Sequence, residues 1–128
     1  MDIELVRRAT ALADKDGAFR LNATGWTGSL TLVSGDSGWR VAISSGVPGD
    51  TTAVDAVTAV PSADDTVVRA SADTWAGFLS DPPPPGLADL AGAPASGLVE
   101  VLPGLSSSER HLAVRQFGEL LRDRKSVV

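Results

Sequence analysis

The spacing of the apolar residues changes twice along this 128-residue chain, and that change restricts the fold more than any single motif does. Between Asp2 and Asp16 the apolar residues recur every three or four positions, which is the period of an amphipathic helix. From residue 18 to residue 72 they alternate with polar residues, as in half-buried strands. From residue 73 onward the helical spacing returns. The sequence therefore predicts an α+β fold, and its length suits one domain over residues 1–128.

Turn residues divide the alternating part into short segments. The stretches Ser34–Gly38 and Gly46–Asp50 are rich in glycine, proline, serine and aspartate, which favour turns. Because such short turns cannot form the crossover that parallel strands need, the pattern predicts an antiparallel meander. The predicted strands cover residues 19–23, 30–34, 39–44, 52–60 and 66–72, and a last short strand covers residues 96–102.

The predicted helices begin and end at residues that suit helix termini. Asp2 is placed to accept hydrogen bonds from the first turn of the first helix. Gly17 is expected to end that helix in the left-handed conformation. Ser71 or Asp73 is expected to cap a short helix that carries Trp75.

Prolines interrupt the last third of the chain. The run Pro82–Pro85 predicts a stiff extended connector, which a short helix over residues 86–91 follows. Ser106 and Glu109 match a capping box, because a serine three residues before a glutamate lets each side chain bond to a free amide. This pair predicts the start of a final helix.

The composition excludes several classes of function. Lysine and arginine number 11 and aspartate and glutamate 16, so the net charge of −5 does not suit nucleic-acid binding. The absence of cysteine excludes disulfides, thiolate catalysis and thiolate metal sites. Neither a P-loop motif nor a dinucleotide-binding fingerprint is present. We therefore expect neither a cofactor nor a metal ion.

The amino-terminal segment carries charges throughout and lacks the uninterrupted apolar stretch of a signal peptide. No run in the chain approaches the roughly 18 apolar residues that a membrane-spanning helix requires. We therefore expect a cytoplasmic protein without a membrane span.

Two short motifs imitate functional sites but are better explained as turns. Gly35-Asp36-Ser37-Gly38 resembles the serine segment of chymotrypsin-like proteases, which also need a histidine upstream, whereas His111 lies downstream. Asp14-Lys15-Asp16-Gly17 resembles the start of a calcium loop, but the later ligands are absent. If the protein is an enzyme, its candidate catalytic residues are His111, Arg69, Asp73 and Glu100.

The aromatic residues are the remaining candidates for a functional site. The chain has three tryptophans, three phenylalanines and no tyrosine. Residues of these types usually belong to the core of a small domain, but they also line apolar ligand pockets. Both interpretations remain open for Trp26, Trp39, Trp75, Phe19, Phe78 and Phe117.

Several stretches together resemble a known family. They are Asp2–Ala9, Phe19-Arg20-Leu21 with Trp26, Thr74–Leu79 followed by prolines, and the terminal Arg115–Arg124 segment. The order of elements and these stretches resemble the sterol-carrier-protein (lipid-transfer) superfamily, in particular the small domain found beside actinobacterial α/β-hydrolases.

This resemblance implies a curved, mainly antiparallel five-stranded sheet with helices packed on one face and an apolar cavity between them. Such domains bind fatty acids, acyl-CoA thioesters, sterols or other apolar molecules. The segments around Trp75, Leu87–Leu90 and Phe117–Leu121 would form the lid side of the cavity. The predicted ligand-binding residues are Trp26, Trp39, Trp75, Phe78, Leu79, Leu87, Leu90, Phe117 and Leu121.

Three functions are compatible with these features. The first is the binding of a hydrophobic small molecule such as a lipid, sterol, polyketide or terpenoid. The second is a cofactor-free cyclase or isomerase of a natural-product pathway, because such reactions mainly need a held conformation and one or two polar groups. The third is a module that forms a homodimer or docks on a hydrolase partner.

Overall fold

The structure, a computed structural model, describes residues 2–55, 65–80, 99–102 and 108–122. Helices and a sheet together confirm the predicted α+β class. The elements are α1 (Ile3–Lys15), α2 (Gly17–Asn22), β1 (Gly28–Ser34), β2 (Ser37–Ser44), β3 (Val47–Asp55), β4 (Asp65–Ala70), α3 (Ala72–Phe78), β5 (Val99–Leu102) and α4 (Ser108–Arg122).

The sheet is mixed, with the strand order β3-β2-β1-β4-β5. β1 and β2, β2 and β3, and β4 and β5 pair antiparallel. β1 and β4, however, pair parallel, with Leu30 opposite Thr66. The predicted antiparallel meander is therefore wrong at its centre. It assumed that each strand pairs with its predecessor, whereas the long connection through β2 and β3 allows β4 to join β1 instead.

The predicted strand over residues 19–23 is also wrong, because these residues belong to the end of α2 and the turn after it. The carboxylate of Asp16 accepts a hydrogen bond from the Phe19 amide at 2.8 Å and so caps α2. Phe19 and Ala23 are buried, whereas Leu21 between them is 74% exposed. Gly17 is the first residue of α2 rather than a left-handed terminator of α1.

β3 begins at Val47, earlier than the predicted start of the fourth strand at residue 52. The turn before it contains only Ser45 and Gly46, whose φ angles are 50° and 79°. Two consecutive positive φ angles match the twist of a tight hairpin. The part of the predicted strand over residues 56–60 lies outside the described residues.

Other predicted boundaries are confirmed. Asp2 caps α1 by accepting from the Leu5 amide at 2.9 Å, and Ser71 caps α3 by accepting from the Thr74 amide at 3.1 Å. Gly35 begins the hairpin turn between β1 and β2, so the protease-like motif is a turn. The predicted connector at residues 82–85, helix at 86–91 and capping serine at 106 lie outside the described residues.

One face of the sheet, here called the helix face, packs against the buried side chains of the helices. α1 packs against β3 and β2, and α4 packs against α1 and α2. Leu30, Leu32 and Val68 on this face are fully buried. The resulting hydrophobic core cluster consists of Val6, Ala9, Ala13, Phe19, Ala23, Trp26, Leu30, Leu32, Trp39, Val41, Ile43, Val68, Ala70, Trp75, Phe78, Val99, Ala113, Val114, Phe117, Leu120 and Leu121.

The carboxyl-terminal end of α4 is held by two cations. Arg8 of α1 donates from Nη2 to the carbonyl oxygen of Leu121 at 3.2 Å. The guanidinium of Arg122 lies 4.7 Å from the ring centroid of Phe78, and its Nη2 is 3.2 Å from Glu119 Oε1. A positive charge at this end of a helix is favoured by the helix dipole. These contacts fix α4 against both α1 and α3.

Replacing Arg8 with alanine is expected to lower the free energy of unfolding by about 1–3 kcal/mol, because a charged hydrogen bond and packed methylenes are lost. Arg7 provides the control, since it is exposed and pairs with Glu4 at 3.1 Å. Arg7→Ala is expected to change stability by less than about 0.5 kcal/mol. Urea denaturation of both variants checks the difference, and equal losses would contradict the role given to Arg8.

Candidate functional site

All six aromatic residues of the chain lie in the core cluster, between the helix face of the sheet and the helices. None of them is more than 8% exposed. Aromatic side chains bring large apolar areas and specific ring geometry to an interior. The sheet–helix interior is therefore the most concentrated apolar region that the described residues form.

α3 holds Trp75 and Phe78 at one end of this interior. The indole Nε1 of Trp75 donates to the carbonyl oxygen of Val33, at the end of β1, over 2.7 Å. The rings of Trp75 and Phe78 meet edge to face with centroids 5.8 Å apart. The hydrogen bond satisfies the one polar atom of the indole, so the ring remains fixed and its apolar surface faces the core cluster.

A second aromatic pair joins α2 to α4. The rings of Phe19 and Phe117 are tilted by 57° with centroids 6.1 Å apart, and both side chains are fully buried. One turn further along α4, Leu121 is 1% exposed. The spacing of four residues places Phe117 and Leu121 on the same face of α4. This face of α4 is the one directed at the interior.

Trp26 and Trp39 complete the aromatic set from the strand side. Trp26 precedes β1, and its carbonyl oxygen accepts from the Gly46 amide at 2.8 Å, which ties this segment to the β2–β3 turn. Trp39 lies on β2 opposite Leu32, on the helix face of the sheet. At 8% it is the most exposed aromatic residue.

The structure brings together most of the predicted ligand-binding residues. Leu79 is partly buried and packs against the core cluster. Leu87 and Leu90 lie outside the described residues. The predicted ligand-binding residues within the core cluster are Trp26, Trp39, Trp75, Phe78, Phe117 and Leu121. Their contact with a ligand stays a prediction.

Thr66 is a polar residue of the helix face that is not among the predicted site residues. It lies on β4 opposite Leu30, two residues before Val68, and is fully buried. Its Oγ1 atom has no hydrogen-bond partner among the described residues. A buried hydroxyl left in this state costs about 1–3 kcal/mol. The alternation of Thr66, Val68 and Ala70 could have placed Thr66 on the buried face, but it does not reveal that the hydroxyl has no partner among the described residues.

Two of the four candidate catalytic residues, Arg69 and Asp73, do not face the interior. Arg69 is the neighbour of Val68 along β4, and adjacent residues of a strand point to opposite faces of the sheet, so Arg69 lies on the face away from the helices. Its register partner on β5 is Glu100. Asp73 is exposed in the first turn of α3. His111 belongs to α4.

A concavity lies outside the interior, between α1 and β3. It is an open groove of about 540 Å³, and its lining includes Arg7, Asp14 and Asp50. At its buried side the Oγ1 atoms of Thr10 and Thr51 are 3.1 Å apart. This groove is polar and charged, so it does not suit an apolar molecule.

The described residues also bear on two other kinds of feature, metal sites and membrane-spanning helices. Within the described ranges, no group of three or more histidine, cysteine, aspartate or glutamate side chains is placed to hold a metal ion. None of the helices in those ranges is long and apolar enough to cross a membrane.

Solved structures with a similar architecture are known. No family model and no curated protein matches the sequence. The chain is similar to a crystal structure of sterol carrier protein 2, with a TM-score of 0.70 and 20% identity over 95% of this chain and 96% of that chain. It is also similar to the solution structure of a conserved hypothetical protein from Thermus thermophilus, a candidate sterol carrier protein, with a TM-score of 0.67, 20% identity and coverage of 94% and 86%. The chain therefore has the fold of sterol carrier protein 2.

Proposed function

We propose that the protein binds an apolar small molecule, of the lipid, sterol, polyketide or terpenoid kind, between the helix face of the sheet and the helices. One observation carries this proposal: all aromatic residues of the chain converge on this interior, in a fold similar to that of sterol carrier protein 2. Ligand sites are typically apolar and aromatic with a few polar groups, as this interior is.

The binding force would be the removal of apolar surface from water. Each buried methylene contributes about 0.8 kcal/mol. A ligand with roughly ten buried methylenes would gain on the order of 8 kcal/mol, from which the cost of association is subtracted. Neither a charged partner nor a metal ion is needed for such binding.

The positions of Arg69 and Asp73 favour binding over catalysis. A cyclase or isomerase needs polar groups that face the reacting atoms. Arg69 lies on the opposite face of the sheet, and Asp73 is exposed. The cyclase or isomerase activity, a role in biosynthesis, the homodimer, the hydrolase partner and the cytoplasmic location stay predictions of the sequence.

Titration with diphenylhexatriene, a fluorescent hydrocarbon without polar groups, tests the proposal. Saturable binding is expected, and Leu79→Ala should weaken it about tenfold because a contact at the border of the core cluster is lost. Leu21→Ala is the matched control, because Leu21 is 74% exposed on α2. Its affinity should equal that of the unchanged protein.

Circular dichroism of both leucine variants verifies that the fold persists. The absence of saturable diphenylhexatriene binding to the unchanged protein would overturn the proposed function. Equal affinities of Leu79→Ala and Leu21→Ala would instead overturn the location of the site. Native mass spectrometry of the purified protein gives an independent readout, since a retained lipid would add a discrete mass.

A further inference from the structure

We propose that the hydroxyl of Thr66 binds the polar end of the ligand, and that this end is an uncharged hydroxyl or carbonyl group. The inference rests on the proposed function and deepens it by naming the ligand's chemical class. It would make Thr66 the specificity-determining residue of an otherwise apolar site.

Thr66 differs from Thr10 and Ser29, two other buried hydroxyl residues of the described chain. Thr10 donates from Oγ1 to the Val6 carbonyl oxygen at 2.8 Å, and Ser29 donates to Asp65 Oδ1 at 2.8 Å. Thr66 is equally buried, yet its Oγ1 has no partner among the described residues. Buried polar groups are nearly always hydrogen-bonded. A valine would fill the same space at less cost, so a second role for the hydroxyl explains its presence.

The strand register places this hydroxyl residue on the side of the predicted ligand. Thr66 is opposite Leu30, and Leu30 is opposite Val41 on its other side. Directly opposed residues share a face of the sheet. Leu30 and Val41 both belong to the core cluster. Thr66 therefore lies on the same face as the core cluster that the helices cover.

The surroundings favour an uncharged ligand group. The positions of β1, β2 and β4 on the helix face carry no aspartate, glutamate, lysine or arginine. A carboxylate placed beside Thr66 would lose its hydration without a countercharge from these strand positions. The cations Arg8 and Arg122 contact Leu121 and Phe78 at the end of α4 instead. A threonine hydroxyl can donate one hydrogen bond and can also accept, so it can pair with a carbonyl oxygen or with an alcohol.

The distance to the Trp75–Phe78 pair sets a length for the apolar part of the ligand. Trp75 donates to the carbonyl oxygen of Val33, which is three residues along β1 from Leu30, the register partner of Thr66. At about 3.3 Å per residue, three residues of strand span roughly 10 Å. A ligand that touches both ends therefore needs an extended apolar body of about this length.

Displacement of diphenylhexatriene by dodecanol, dodecane and dodecanoic acid tests this inference, in the unchanged protein and in Thr66→Val. Dodecanol is expected to bind Thr66→Val about tenfold more weakly than the unchanged protein, whereas the affinity for dodecane should not fall. Thr66→Ser, which keeps the hydroxyl, should retain most of the affinity for dodecanol. Thr31→Val, on the opposite face of the sheet, should leave both affinities unchanged.

The melting temperature without ligand distinguishes the proposed role of Thr66 from a structural one. Thr66→Val is expected to melt at the same temperature as the unchanged protein or above it, because no hydrogen bond is lost. Thr10→Val, which loses the bond to Val6, is expected to melt at a lower temperature. A lower melting temperature for Thr66→Val would overturn the inference.

The outcomes separate this inference from the proposed function. Equal dodecanol affinity in Thr66→Val and the unchanged protein would overturn the role of Thr66, while hydrocarbon binding would still support the proposed function. Tighter binding of dodecanoic acid than of dodecanol at neutral pH would overturn the uncharged end group. Failure of diphenylhexatriene to bind the unchanged protein would overturn both proposals.

Discussion

Replacing Phe117 with alanine is expected to lower the free energy of unfolding by about 3–5 kcal/mol. The side chain is fully buried on α4, and its ring packs against that of Phe19 at 6.1 Å. Alanine removes most of this contact and leaves a cavity that the surrounding residues fill only partly. Since small domains are stable by about 5–15 kcal/mol, much of the total would be lost.

Leu112 supplies a control on the same helix. It is 41% exposed, so Leu112→Ala is expected to change stability by less than about 0.5 kcal/mol. Urea denaturation, followed by circular dichroism, measures both variants. A loss below about 1 kcal/mol for Phe117→Ala would show that the interior around this ring is loosely packed. Phe117→Leu, which keeps most of the volume, should fall between the two.

Replacing Gly46 with alanine is expected to destabilise the protein by about 2–5 kcal/mol, for two additive reasons. Gly46 has a φ angle of 79°, a conformation that costs an alanine about 1–2 kcal/mol. In addition, a Cβ atom would lie 2.8 Å from the carbonyl oxygen of Ala23. Backbone must move to relieve this contact, which typically costs about 1–3 kcal/mol more.

A substitution at Gly25 measures the conformational cost without the steric contact. The φ angle of Gly25, 81°, is nearly the same, but a Cβ atom there would meet nothing within 4 Å. Gly25→Ala should therefore show only the conformational cost of about 1–2 kcal/mol. Thermal unfolding of both variants gives the difference. Equal losses in both variants would contradict the close approach between the β2–β3 turn and Ala23.

The sequence predicted the members of the interior better than their arrangement. Trp75 and Phe117 were recognised because large apolar residues at helical spacing become buried in almost any compact α+β fold. Which strands they cover was not predictable from spacing. That depends on the parallel pairing of β1 with β4, which joins residues such as Leu30 and Thr66 that are distant in the chain.

The misassigned segment at residues 19–23 shows why short elements are ambiguous. Phe19, Leu21 and Ala23 alternate as in a strand, but residues 19 and 23 also share one face of a helix. The cap supplied by Asp16 decides in favour of the helix, and Leu21 is left exposed. Over six residues the two periods cannot be distinguished, so capping chemistry carries more information than hydropathy does.

Thr66 was missed for a different reason. In a strand of alternating residues a threonine is an ordinary choice, because its branched side chain suits a pleated surface. Only the contacts around it reveal that the hydroxyl has no partner in the described chain. The polar feature that distinguishes this interior therefore depends on long-range pairing, which local sequence patterns do not report.

The parallel β1–β4 pair also affects how the chain folds during its synthesis. Ser29 leaves the ribosome 36 residues before Asp65, the residue to which it is hydrogen-bonded. At a synthesis rate of about 5–20 residues per second, the edge of β1 that pairs with β4 stays unpaired for a few seconds. An unpaired edge of this kind is a template for association with other chains. The nascent protein is therefore most exposed to aggregation after its β2–β3 hairpin has emerged and before β4 has.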